Sequence, residues 1–361
     1  MELKKNMIYK LSNKNSGKVA DIYWSSTDDN ANMVQYASHT DGYDQDFIFF
    51  KLDDNCYAIA NKNSGKVMDV YSSSKDDNAH LVQYHWHGSD NQHWLPQEQD
   101  GTYFKIENKN SGKVMDVYSS SKDDNAQLVQ YTSHGGSDQQ WSFVEVESFT
   151  LPSITVETLP DVPEYTSLND NLSDTTPVVT AYTLIPSIMI NDSLDESLKI
   201  QSSPYYMLYK KQYWKNIDSH TFAPNTSYTS KTTYGMTDTD QQSMTDTISI
   251  SVTADAGFSF KEMSSSISTT VTNELQVSKS TTTELMTTQE TDETIQNNND
   301  YEIAWTQFAL VTEYYLARAD GTIIGNSPWV VINKNDERQS YYPLNTNLKN
   351  PTQDDEELQK N

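Results

Sequence analysis

A chain of 361 residues has room for about two domains, each large enough to bury its own core. Its formal net charge of -26 opposes contact with phosphate backbones and anionic headgroups, which excludes nucleic acid as a partner and simple basic-patch docking on membranes. The single cysteine, Cys56, excludes an intrachain disulfide and a cysteine-ligated metal cluster, while 23 tyrosines and 7 tryptophans offer surface that is part apolar and part hydrogen-bonding, as β-sheet and carbohydrate contacts need.

The opening MELKKNMIYKLSNK has no apolar run of the signal-peptide kind, and no stretch approaches the roughly 18 apolar residues of a membrane helix. The chain is therefore expected to be made soluble, without a secretion signal. A threefold repeat follows. Asn13 to Tyr36, Asn61 to Tyr84 and Asn108 to Tyr131 read NKNSGKVADIYWSSTDDNANMVQY, NKNSGKVMDVYSSSKDDNAHLVQY and NKNSGKVMDVYSSSKDDNAQLVQY. Such a period marks repeated supersecondary units. Each copy predicts short strands, such as Val67–Tyr71 and Leu81–Tyr84, between Ser/Asp/Asn-rich turns. Each ends on an aromatic two places after a glutamine: Gln45 to Phe47, Gln92 to Trp94 and Gln139 to Trp141.

Three β units, each too small to bury a core alone, resemble the β-trefoil of ricin-B-type lectins, whose mark is one Gln-x-Trp per repeat; the resemblance covers residues 6–147. It implies sugar clefts in which an aspartate and a glutamine fix hydroxyls beside an aromatic platform. By position the second copy offers Asp69, Gln83, Tyr84 or His85, Asn91 and Gln92; it is the expected best site. The third offers Asp116, Gln130, Tyr131 and Gln139, and the first Asp21, Gln35, Tyr36 and Asp44. The same Asp and Asn side chains could instead only hold turns, and the glutamines of the Gln-x-aromatic marks read better as structural. Where the family has a ring two places after the strand glutamine, this chain has Ala37, His85 and Thr132, so Tyr84 or Trp86 is the substitute platform. His80, His85, His87 and His93 crowd into the second copy, but no spacing specifies a metal; a sugar-facing rim is expected, with no metal and no cofactor.

Pro152, Pro160 and Pro163 punctuate a linker and set a boundary near residue 150. Beyond it, Val178–Ile190, Tyr205–Trp214 and Ala304–Arg318 read as strands of a β domain over 151–346. Between them Ile248, Ile250, Val252, Ala254, Ala256, Phe258 and Phe260 alternate with polar residues, and a second series follows at Ile267, Val271, Leu275 and Val277. The alternation predicts a hairpin over Ile248–Val277 whose arms reach the roughly 9–11 residues of a tilted membrane strand. One hairpin would leave backbone groups unpaired in lipid, so several chains would have to close a barrel. An ordinary hairpin of a soluble domain fits the period equally well. The polar, charged tail at 347–361 is expected to be mobile and trimmed by protease at Lys349 or Lys360.

The texts TAYTLIPSIMINDS from Thr180 and SSPYYMLYKKQYWKNI from Ser202 resemble the Bin-type insecticidal crystal toxins, the toxin-ten family, as does the order of trefoil, proline linker and β module. The resemblance implies an all-β chain with an aerolysin-like second domain, deposition as a crystal inclusion in a sporulating bacterium, and an insecticidal, mosquito-directed action. It further implies proteolytic activation and pore formation as a homo-oligomer in the host cell membrane. Galactose-type glycans on glycolipid or glycoprotein receptors are the implied targets, and a second toxin component remains open. No phosphate loop, HExxH or GxSxG occurs, so no enzyme is expected. The alternative is a multivalent lectin that forms no pore.

Overall fold

In the computed structural model, which describes residues 3–53, 55–261 and 263–344, each sequence copy contributes four short strands to one closed body. Those of the second copy are Cys56–Asn61, Val67–Val70, Ala79–Tyr84 and Trp94–Glu98. The ring closes where Met7–Asn13 pairs antiparallel with Trp141–Ser148. Phe47, Trp94 and Trp141 meet at the centre with Leu11, Ile59 and Ile106, all buried. Each indole also donates to a backbone carbonyl, Trp94 to Met68 and Trp141 to Met115, so its one polar atom is satisfied inside the core.

The second body is built on a four-stranded antiparallel sheet. Its strands are β1 (Val178–Pro186), β2 (Tyr205–Phe222), β7 (Ile303–Ala317) and β8 (Ile323–Tyr342), in the order β1-β2-β7-β8. Sequence alternation finds the first three. It does not single out β8, because the run Asn333–Arg338 covers its alternation with charge. A separate two-stranded ribbon pairs β3 (Ser227–Tyr234) with β6 (Gln289–Gln296), and everything between them, residues 235–288, is an excursion from that ribbon. The proline-rich stretch before β1 is not a free linker. Tyr165 and Leu172 bury against Trp214 and Phe308, and the Trp214 indole donates to Pro160 O. The tail at 347–361, with Lys349 and Lys360, lies outside the described residues.

The excursion corrects the expected hairpin. Ile248 ends a helix, α2 (Asp238–Ile248), which Thr237 caps by accepting from Asp240 N, with two aspartates in its first turn. Ile250 and Val252 lie on a three-residue strand, β4 (Ile250–Val252). The chain then turns through exposed Ala254 and Asp255 and half-buried Ala256, so that Phe258 and Phe260, on β5 (Phe258–Phe260), fold back on β4 instead of extending it. Ile267, Val271 and Leu275 belong to a helix, α3 (Ser265–Leu275), and Val277 follows its cap. The physical reason is in the spacing. Steps of four residues place these three side chains on one helical stripe, whereas strand alternation needs steps of two.

The two bodies share one apolar cluster. Ile48, Phe50, Leu52 and Ala58 of the trefoil pack with Tyr205 and Tyr206 of β2, the buried side of α2 and α3, and Phe258. A short helix, α1 (Glu196–Ser202), docks on the turn of the second copy: Glu196 pairs with Lys66 at 2.9 Å, and Gln201 donates to Lys62 O. Gly65 makes this approach possible. A Cβ there would stand 2.3 Å from the Glu196 backbone, while its threefold counterparts Gly17 and Gly112, at the same positive φ, have open space. Gly17→Ala and Gly112→Ala are therefore expected to cost only the left-handed strain, about 1–2 kcal/mol. Gly65→Ala should in addition undock α1, read as faster proteolysis within residues 187–204. Equal proteolysis of all three variants would contradict the close approach.

Candidate functional site

Each copy of the trefoil carries the same cleft, and its floor is a buried carboxylate: Asp21, Asp69 or Asp116. Strand alternation points it inward beside the core, and a following 3-10 turn opens the wall above it. Burial raises the pKa of all three above the usual carboxylate range. Amides partly offset that cost. Gln45 donates to Asp21 at 2.8 Å, Gln139 to Asp116 at 2.8 Å, and Asn91 to Asp69 at 2.9 Å.

A histidine four places after the strand glutamine lines every cleft; the sequence placed His87 on a sugar-facing rim, but its counterparts His39 and His134 were missed. His39, His87 and His134 place Nε2 at 3.5, 3.3 and 3.3 Å from the floor carboxylates. Each ring stands nearly edge-on to a tyrosine, Tyr36, Tyr84 or Tyr131, with centroids 5.9–6.3 Å apart. The signal was available: a histidine recurs at one offset in all three copies. Together the tyrosine and histidine form a half-exposed aromatic shelf above a carboxylate acceptor, which suits one apolar and one hydroxylated face of a pyranose.

Several expected ligands do other work. Gln35, Gln83 and Gln130 are sealed into the seams between copies. Each amide accepts from a serine of its own copy, such as Ser64 Oγ to Gln83 at 2.7 Å, and donates to two carbonyls of a neighbouring copy, such as Ser26 and Asp28. They have no free polar atom to offer a sugar, because threefold closure consumes both ends of the amide. Gln92 and Gln139, like Gln45, accept from the backbone N–H of the cleft histidine and set its loop. His85 leaves the cleft to meet Asp29 of the first copy at 3.0 Å. Trp86 is no platform either: it stacks on His93 and packs into the cluster shared with the second body. The second copy, the expected best site, is thus the one nearest the junction. The third keeps Asp116, Tyr131, His134 and Asp138 beside the exposed Ser133.

The other candidate element is the excursion. Ile248, Ile250, Val252, Phe258, Ile267, Val271 and Leu275 are all buried in the shared cluster, and only Ala254 of the expected apolar series is exposed. Polar contacts tie it to the sheet and to the trefoil. Asn191 N donates to Thr247 O at 2.9 Å, Trp329 Nε1 to Ser243 Oγ at 3.0 Å, and Ser264 Oγ to Leu52 O at 2.5 Å. No helix among the described residues is long and apolar enough to cross a membrane.

Residues 2–84, 43–131 and 90–171 match the family described as ricin-type beta-trefoil lectin domain-like, and residues 178–343 match the family described as Insecticidal Crystal Toxin, P42. Over 198 residues the chain is 31% identical to the binary larvicide subunit BinA of Lysinibacillus sphaericus, covering 54% of this chain and 53% of BinA. Over 197 residues it is 28% identical to subunit BinB of the same organism, covering 54% and 43%. The chain thus spans about half the length of these relatives. The crystal structure of Cry35Ab1, an insecticidal crystal protein of Bacillus thuringiensis, has the same fold, with a TM-score of 0.80 over 99% of this chain and 94% of its own at 22% identity. The chain joins a ricin-type β-trefoil lectin-like domain to a domain of the insecticidal crystal toxin family, and is homologous to BinA, BinB and Cry35Ab1.

Proposed function

We propose that this protein is an insecticidal pore former that reaches its target cell by binding galactose-type glycans in the trefoil clefts. The observation that carries the reading is the pairing of two elements in one chain. One is a set of buried, incompletely satisfied carboxylates under aromatic shelves; the other is an apolar excursion folded away between two ribbon strands. A sugar hydroxyl donated to Asp116 or Asp69 would offset the desolvation that raises its pKa, so ligand and carboxylate each gain a partner. Extension of β3 and β6 through the excursion would turn buried apolar side chains outward as one arm of a barrel closed by several copies. A crystal inclusion and a second protein component fit the names of the relatives, one an insecticidal crystal protein and two the subunits of a binary larvicide, and proteolytic activation belongs to the same reading.

A multivalent lectin without pore activity is the second reading, favoured by the small ribbon and by helices where strands are expected. The glycan half of the proposal is tested by binding to immobilised galactose-terminated glycans. Asp116→Asn is expected to weaken binding about tenfold, because loss of a charged acceptor costs about 1.5 kcal/mol or more. Asp69→Asn should compound it. Wild-type binding to both variants, with the trefoil still folded by circular dichroism, would refute the assignment.

A further inference from the structure

The three clefts are built alike but not charged alike. In the second, Asn91 stands where the others have Asp44 and Asp138, and it donates to the floor carboxylate. In the third, His134 Nδ1 accepts from Gly136 N at 3.2 Å, which puts the ring proton on Nε2, facing Asp116 at 3.3 Å. The second leaves Asp69 Oδ2 without a hydrogen-bond donor but sets only this one carboxylate beside its histidine. The third sets two, and so does the first.

There His39 Nε2 lies 3.5 Å from Asp21 Oδ2 and 3.8 Å from Asp44 Oδ1, and the three ligand atoms lie within 4.8 Å of one another. Nitrogen and oxygen ligands on a tetrahedral zinc, at bonds of about 2.0–2.1 Å, stand roughly 3.3 Å apart. Asp44 Oδ2 accepts from Ser25 Oγ, but its Oδ1 is buried without a donor, aimed at His39 Nε2. The other imidazole nitrogen, Nδ1, also lacks an aligned hydrogen bond; the exposed carboxylate of Asp41 stands 3.1 Å from it. A cation held between these groups would take Nε2 as a neutral-imidazole ligand, with the ring proton on Nδ1 toward Asp41, and would give the orphaned Asp44 Oδ1 a partner. The Lys10 ammonium is engaged beside the cleft, donating to His39 O and Gln45 Oε1, and makes no ion pair with Asp21 or Asp44 among the described residues.

We propose that Asp21, His39 and Asp44 form a binding site for a divalent transition-metal ion in the first cleft alone, with zinc the best match to one imidazole and two carboxylates. Magnesium and calcium prefer all-oxygen sets and fit an imidazole nitrogen poorly. Gln45 on Asp21 and Ser25 on Asp44 supply outer hydrogen bonds that orient such ligands, and the Asp41 carboxylate stands beside His39 Nδ1. The assignment departs from the sequence expectation of no metal, which weighed only the histidines of the second copy. It also stands apart from the glycan reading, since it is measured without sugar.

The test is calorimetric titration of the untagged full chain with zinc chloride, with cobalt absorption as a second readout. One ion per chain is expected. Asp44→Asn, which installs the residue the second copy already uses, should weaken it at least about tenfold, and His39→Gln should do the same. Asp138→Asn should leave it unchanged. Should Asp44→Asn fail to fold by circular dichroism, His39→Gln carries the test. The proposal falls if wild type shows no saturable uptake, if uptake survives in the folded first-cleft variants, or if Asp138→Asn removes it.

Discussion

Cysteines replacing Thr247 and Gly325 are expected to bond to each other and to abolish membrane leakage until reductant is added, with glycan binding unchanged. Thr247 lies at the end of α2, inside the excursion, and Gly325 lies on β8. A Cβ built at Gly325 stands 2.8 Å from Thr247 Cγ2 and 3.1 Å from Thr247 Oγ1, so two cysteine side chains at these positions would meet. The left-handed φ of Gly325 adds strain that the folded body can carry. Cys56 need not be removed, because it is buried and burial pushes its thiol up to about 11, which leaves it unreactive. The excursion must leave the sheet for Ile250 and Val252 to reach lipid, and one covalent bond at this point forbids it. A companion variant separates blockade from misfolding. Arginine at Val252 would disturb the soluble form, since that side chain is 1% exposed. Ala254→Arg changes an exposed position and should cost about 2–4 kcal/mol per subunit only once it faces the bilayer midplane. Leakage by the oxidised double-cysteine protein would remove the excursion as the inserting element.

Arg318→Ala is expected to destabilise the second body by about 3 kcal/mol at neutral pH, the low end for a broken buried pair because the guanidinium is partly exposed. Arg318 holds Asp192 through two bonds of 2.8 Å, and the Tyr206 hydroxyl donates to the same carboxylate at 2.6 Å. Burial alone would raise the Asp192 pKa, but these donors outweigh it and hold the carboxyl well below the usual range. A depressed carboxyl contributes stability that is present above the ordinary aspartate pKa near 4 and lost as pH falls through the folded value. The gap between wild type and Arg318→Ala, measured by urea unfolding, should therefore be full at pH 7 and narrow as pH falls below about 4, where the wild-type carboxyl begins to lose the stability that its depressed pKa supplies. Asp192→Leu with Arg318→Met should recover most of the loss. A gap independent of pH would mean that packing of the arginine stem, and not charge, carries the effect.

The trefoil was legible because its repeat is nearly verbatim and its closing aromatics recur. Its clefts were half legible. Asp21, Asp69 and Asp116 lie where the resemblance put them, but Gln35, Gln83 and Gln130 are spent on contacts between copies that a single repeat cannot display. His87 was noticed among the crowded histidines of the second copy, but His39 and His134 were hidden because the search for a ring stopped two places after the strand glutamine, while this loop delivers one four places after it. In the second body the strands with plain alternation were found. The excursion was misread because Ile248–Phe260 keeps a period of two through a turn at Asp255–Gly257, and because the four-residue spacing of Ile267, Val271 and Leu275 was taken with it. The docking of α1 on Gly65 is a tertiary contact, and nothing local announces it.

The central claim is that one chain both recognises a glycan and opens a membrane. The direct measurement is dye release from liposomes with and without a galactose-terminated glycolipid, using the full chain after limited proteolysis. The account predicts release only when the glycolipid is present, inhibition by free galactose-type sugar, and a steep dependence on protein concentration from assembly of several copies. Binding to the glycolipid liposomes with no release at any concentration would contradict it and leave a lectin.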